Sequence, residues 1–131
     1  MESPLIIFVI LVVLAVTLGG LVLCRSVRRK IAGATKKQLL QQWYALDTID
    51  DTARRVLEAD SILNKALDVL GYEGSLGEKL KKAGPRFSDL NAVWVAHKLR
   101  NRIAHEPGMQ ISQRESDQAV ARLRRAFDDL C

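Results

Sequence analysis

Few residues in this chain of 131 can carry chemistry. It holds two histidines, His97 and His105, and two cysteines, Cys24 and Cys131. None of the four has a neighbour at metal-ligand spacing, so no zinc motif, disulfide framework, metal or other cofactor is expected. The histidines are more informative. On a helical pattern over 88–105, His97, Asn101 and His105 recur at i, i+4 and i+8, in line with Leu90 and Trp94. Imidazoles exchange protons near neutral pH. A stripe that mixes Trp with His and Asn has three readings. It is a wet functional groove, a partner interface, or a plain surface stripe with Trp94 half-buried and His105 at the favourable C-terminal end of a helix. Ala92, Val95, Ala96, Leu99 and Ile103 gather on the other side and are the expected core face.

Asp60 is the second unusual residue. It falls near the centre of an apolar stripe with Ala53, Val56, Leu63 and Leu67. A carboxylate buried alone is unfavourable, so it needs a partner. The expectation is that Asp60 bonds Arg100, or the histidine that shares a motif with Arg100, from below and positions it, without transferring protons itself.

The string Lys98-Leu99-Arg100-Asn101-Arg102-Ile103-Ala104-His105 resembles the signature of the HEPN superfamily of small helical domains. That signature is an arginine, usually followed by a polar residue, with a histidine four to six residues further on, at the end of the helix before the last major one. More loosely, Glu58-Ala59-Asp60, the glycine-rich turn after residue 70 and the stretch from Trp94 to Glu106 resemble bacterial proteins that join a membrane anchor to such a domain. The resemblance covers about residues 50–130. It implies metal-independent RNA cleavage, although members range from ribonucleases to non-catalytic binding domains. His105 would take the ribose 2′-hydroxyl proton or give one to the leaving oxygen. Arg100 would hold the scissile phosphate, and Asn101 would orient the histidine or the phosphate. Five residues apart on one helix, Arg100 and His105 point about 140° away from each other. Either the helix ends between them, or the family's composite sites at a dimer interface bring them together, with Trp94 and His97 as supporting or interface residues. A non-catalytic RNA-, nucleotide- or protein-binding module, or a membrane scaffold, is the alternative.

The elements that must position these residues read as all-α. A long pattern from 36 to 70, with room for a break near 47–51, ends at Gly71. Ser75 with Glu78 forms a capping box for a short helix, Ser88 can cap the next, and Ser112 with Glu115 opens the last. Gly71, Gly74 and Gly77 lack the strand and the Gly-Lys-Ser/Thr ending of a phosphate loop, so a plain turn is expected there. The result is a small helical bundle.

Ahead of it lies a different kind of sequence. Residues 5–23 carry no charge, and only Thr17, Gly19 and Gly20 interrupt the apolar run. That is the length of a bilayer-spanning helix. Met1-Glu2-Ser3 lacks the cations of a signal peptide, and Leu23 is too large for a lipoprotein cleavage box. An uncleaved single-span anchor over 1–24 is expected. Cys24 reads either as an acylation site or as a small apolar residue at the interface.

Six cations and no acid follow over 25–37, from Arg25 to Lys37, placing this side in the cytoplasm and next to anionic lipid. The remaining domain, 38–131, carries 14 cations and 14 acids, so the net charge of +5 belongs to the flank. High basicity is therefore no argument for nucleic acid. Lys98, Arg100 and Arg102 with Lys79, Lys81, Lys82 and Arg86 could still form a local basic patch, or a solvated face. The expected protein is an all-α, single-pass membrane protein with a cytoplasmic HEPN-like domain, a homodimer, with RNA as the candidate partner.

Overall fold

The computed structural model describes residues 4–131, and within them the side chains of all but 25–28. The Met1-Glu2-Ser3 reading and the Arg25 and Arg28 side chains lie outside the described residues. Six α-helices and no strand are found among the described residues.

Helix α1 runs from Pro4 to Arg28. Its stretch Pro4–Cys24 has a mean hydropathy of 3.1 and no part buried against the rest of the chain, so it is long and apolar enough to cross a membrane. The one hydroxyl within Pro4–Cys24 is satisfied internally: Thr17 Oγ1 donates to the carbonyls of Val13 and Leu14 at 2.9 Å. That suits a surrounding that offers no water.

The folded domain begins sooner than the charge pattern suggests. Ile31 is buried, and α2 spans Gly33–Ala45, so the basic stretch 25–37 already includes part of the domain. The long pattern over 36–70 is two helices, α2 and α3 (Thr52–Val69), parted by a 3-10 turn at Leu46–Thr48. Asp51 restarts the helix by accepting from the Arg54 amide at 2.8 Å. At the other end Gly71, at φ +89°, lets Tyr72 N–H reach the Leu67 carbonyl at 3.1 Å, which closes the last turn.

Helix α4 (Leu76–Ala83) and helix α6 (Gln113–Leu130) both open with complete capping boxes, Ser75 with Glu78 and Ser112 with Glu115. Helix α5 (Leu90–His105) is capped by Asp89, which accepts from the Ala92 amide at 3.0 Å. Ser88, the expected cap, instead donates its amide and hydroxyl to Asp129 at 2.8 Å.

Contacts at the helix ends give the packing directions. Ser116 Oγ donates to the Thr52 carbonyl at 2.8 Å and Arg55 pairs with Asp117 at 2.7 Å, so α3 and α6 start at the same end. The Ser88–Asp129 bonds set α5 running the opposite way. Val56, Leu63 and Leu67 of α3 meet Leu123, Phe127 and Leu130 of α6 in the core, and Trp43 of α2 closes it against Phe127 at 5.7 Å.

The core face of α5 is rotated from the expected one. Val93, Ala96 and His97 are buried, Leu99 and Ile103 are half-buried, and Val95 is 51 % exposed. The physical reason is that α5 packs against both α3 and α6, so its buried arc is centred on the line between two partners and takes in His97.

Candidate functional site

Asp60 stands mid-way along α3 and faces α5, 4 % exposed. Its Oδ1 lies 2.9 Å from His97 Nδ1, and its Oδ2 lies 3.2 Å from Arg100 Nε. The second contact is an ion pair off the hydrogen-bond line. Arg100 donates to Asn101 Oδ1 at 3.0 Å, and the Asn101 amide nitrogen lies 3.3 Å from His97 Nε2. The four side chains therefore close a ring: Asp60, His97, Asn101, Arg100 and back to Asp60.

The local sequence explains how the ring forms. Residues 97, 100 and 101 are spaced i, i+3, i+4, one face of a helix turn. Asp60 supplies the counter-charge from across the interface. The ring also sets the imidazole tautomer. Asn101 Oδ1 accepts from Arg100, so its Nδ2 must donate to His97 Nε2. That makes Nε2 the acceptor and leaves the proton on Nδ1, donated to Asp60. Asp60 is paired from below, with Arg100 as expected; the histidine it engages is His97, which lies outside the Arg100–His105 motif.

One side of the ring opens on a cleft of about 610 Å³ between α3, α4 and α5. Trp94 forms one wall, edge-on to His97 with ring centroids 5.9 Å apart. Asn64, Lys81 and Lys98 add polar groups and positive charge. Neither Lys81 nor Lys98 has an acidic partner at ion-pair distance among the described residues. Glu78, also at the cleft, is held below the ordinary carboxylate range, first by the Ser75 amide and then by the Ser75 hydroxyl.

Gly77 lies over the imidazole: a Cβ there would sit 3.8 Å from His97 Nε2 and 3.8 Å from the Trp94 ring. This glycine read as part of a plain turn. Its nearness to His97 depends on how α4 docks, which no local signal carries.

Of the two readings for these cations, a local basic patch or a solvated face, the patch is only partly assembled. Lys81, Lys98 and Arg100 reach the cleft. Lys79 does not: it is buried at 3 % exposure, donates to Asn64 at 2.7 Å and pairs with Asp68. Arg102 turns to Glu106 at 3.3 Å, and Arg86 donates to the Arg29 carbonyl.

His105 is exposed at the C-terminal end of α5 and is not among the residues lining this cleft. Arg100 and Asn101 are brought together with Asp60, Trp94 and His97; His105 is not brought to them within one chain. Among the described residues, no group of three His, Cys, Asp or Glu side chains converges as metal ligands would. No protein-family model, no curated protein and no solved structure matches the chain.

Proposed function

We propose that this chain is a membrane-anchored, HEPN-like RNA-binding domain and metal-independent endoribonuclease that works as a homodimer. The observation that carries the reading is Arg100, held by Asp60 and Asn101 at a cleft rimmed by Lys81 and Lys98. A guanidinium fixed in this way is oriented before a phosphodiester arrives, which is how charge developing in a transition state is best stabilised. Helix α1 holds the domain to the cell membrane as a single span. The cations that follow it favour the cytoplasmic side and anionic lipid.

The proposed reaction moves one proton. The His105 imidazole takes the ribose 2′-hydroxyl proton, the 2′-oxygen attacks the adjacent phosphorus, and the bond to the 5′-oxygen breaks. The leaving 5′-oxygen takes that proton from the His105 imidazolium, which returns to the neutral imidazole. The products are a 2′,3′-cyclic phosphate and a 5′-hydroxyl end. On the continuous helix α5, His105 points about 140° away from Arg100, so the two act together when a second copy supplies His105. A two-fold axis along the membrane normal would keep both anchors in one bilayer.

A second reading is favoured by one observation: the Arg100 guanidinium is already engaged by Asp60 and Asn101. The same cleft then binds RNA, nucleotide or a protein partner without cutting. The test is cleavage of single-stranded RNA by the detergent-solubilised chain with a divalent chelator present. Arg100→Ala should lower the rate about 100-fold or more, and His105→Ala by a similar factor, with 2′,3′-cyclic phosphate ends from the parent. RNA bound with unchanged length would leave the binding reading alone standing.

A further inference from the structure

The domain is joined to α1 by a very short tether. Only Arg29 and Lys30 separate the end of α1 from Ile31, which is 2 % exposed and donates its N–H to the Leu130 carbonyl at 3.0 Å. Arg86 donates to the Arg29 carbonyl. Three chain steps reach about 10 Å at full extension. The bundle is thus held against the end of α1.

The helix directions decide which end is held. Leu130 is the last residue of α6, and Ser88, just before α5, bonds Asp129 beside it. The tether end therefore carries the ends of α6 and α3 and the start of α5. The opposite end carries the start of α3, the end of α5 and the 106–112 turn.

Charge is polarised along the same direction. At the tether end Arg124 and Asp128 pair with each other at 3.1 Å. That leaves Arg29, Lys30, Lys36, Lys37, Lys82 and Arg125 against Glu73, Asp89 and Asp129. At the opposite end Arg55 pairs with Asp117 and Arg102 with Glu106. There Asp50, Asp51 and Glu115 stand against Arg114. The whole domain is neutral, but its two ends are not. A charged surface is felt over a Debye length of about 8 Å in physiological salt, so a negative bilayer attracts the near end and hardly senses the far one.

We infer that the helical domain stands upright on an anionic lipid surface, docked by Arg29, Lys30, Lys36, Lys37 and Arg125, with the 106–112 turn and His105 outermost. The inference rests on reading α1 as a membrane span, and it is independent of RNA cleavage. It gives the cleft a fixed height above the headgroups, since Asp60 and His97 lie mid-way along α3 and α5.

The test uses the full chain with Cys24→Ser and Cys131→Ser, reconstituted in vesicles of phosphatidylcholine and phosphatidylglycerol. A fluorophore is placed at Asn91→Cys or at Gln110→Cys, both exposed and at opposite ends of the bundle. Energy transfer to a headgroup-labelled lipid reads the height of each. The label at 110 should lie about 20 Å further from the headgroups than the label at 91, the rise of α5 between them. The Lys36→Glu/Lys37→Glu variant, or phosphatidylcholine alone, should shrink that difference at least two-fold. Equal heights on the anionic vesicles overturn the inference while leaving the anchor in place. The same is true of a difference that ignores both the charge reversal and the neutral lipid. A chain that is stripped from the vesicles by alkaline carbonate overturns the span itself, and the upright domain with it.

Discussion

Replacing Asp60 by alanine should destabilise the domain by about 3 kcal/mol. Asp60 is 4 % exposed and engages His97 and Arg100 together. Breaking a buried ion pair from one side typically costs about 3–5 kcal/mol, because the remaining charge is left without compensation. The Arg100 side chain is 35 % exposed, so water recovers part of that and the lower end applies. The His97 Nδ1 proton also loses its charged acceptor, worth about 1.5–3 kcal/mol in a buried setting and overlapping with the first loss.

For a domain of this size, about 3 kcal/mol lowers the thermal midpoint by roughly 15 °C. Asp60→Asn keeps an acceptor for His97 and should lose about half as much. The double variant Asp60→Ala/Arg100→Ala should lose less than the sum of the singles, by about 1–2 kcal/mol, since the orphaned guanidinium is gone. Circular dichroism of the detergent-solubilised chain during heating measures all five proteins, the parent and the Arg100→Ala single included. An Asp60→Ala variant within about 0.5 kcal/mol of the parent, or strict additivity in the cycle, would refute the ring as a stabilising unit.

Three further outcomes follow from the geometry. Val93→Asp should prevent stable folding, whereas Val95→Asp should shift the thermal midpoint hardly at all, because the first is buried and the second 51 % exposed; reversed effects would restore the core face expected from periodicity. Gly77→Ala should raise stability by up to about 1 kcal/mol through helix propensity and weaken RNA binding severalfold, since its methyl would sit over His97 Nε2; unfolding and fluorescence-anisotropy titrations separate the two. Glu115 has its pKa lowered from 4.5, first by the Ser112 amide and then by the Ser112 hydroxyl. Its contribution to stability is therefore present above pH 4.5 and is lost as pH falls through the lower folded value. Ser112→Ala should cost about 1 kcal/mol at neutral pH and flatten part of that acid dependence, read by unfolding between pH 3 and pH 7.

What the sequence made legible were features written within a few residues. The uncharged run over 5–23 announces α1, and the Ser75/Glu78 and Ser112/Glu115 pairs announce two helix starts, because a capping box is complete within four residues. Asp60 stood out as a carboxylate in an apolar stripe, and the need for a partner follows from burial alone. The pairing of Arg100 with it was one of the alternatives this left open.

Other features depend on how helices dock. Val93 and Val95 differ only in which neighbour α5 leans on, and a helix wedged between two partners buries a wider arc than one stripe. Lys79 looked like surface charge, yet it folds down onto Asn64 and Asp68 from α4. Asp89 and Ser88 are both good caps by residue type. Asp129, 41 positions away, engages Ser88 and leaves the cap to Asp89. His105 fits a local motif, while its distance from the cleft appears only once the helix is continuous to residue 105.

The most direct test of the ribonuclease account is complementation between two silent variants. Arg100→Ala and His105→Ala chains, each solubilised and inactive alone, are mixed under conditions that allow subunit exchange. Random pairing makes half the dimers mixed, and each mixed dimer holds one complete site, so about a quarter of the parent cleavage rate should return. A mixture as silent as its components, with exchange verified by energy transfer between labelled chains, would contradict a site shared across the dimer.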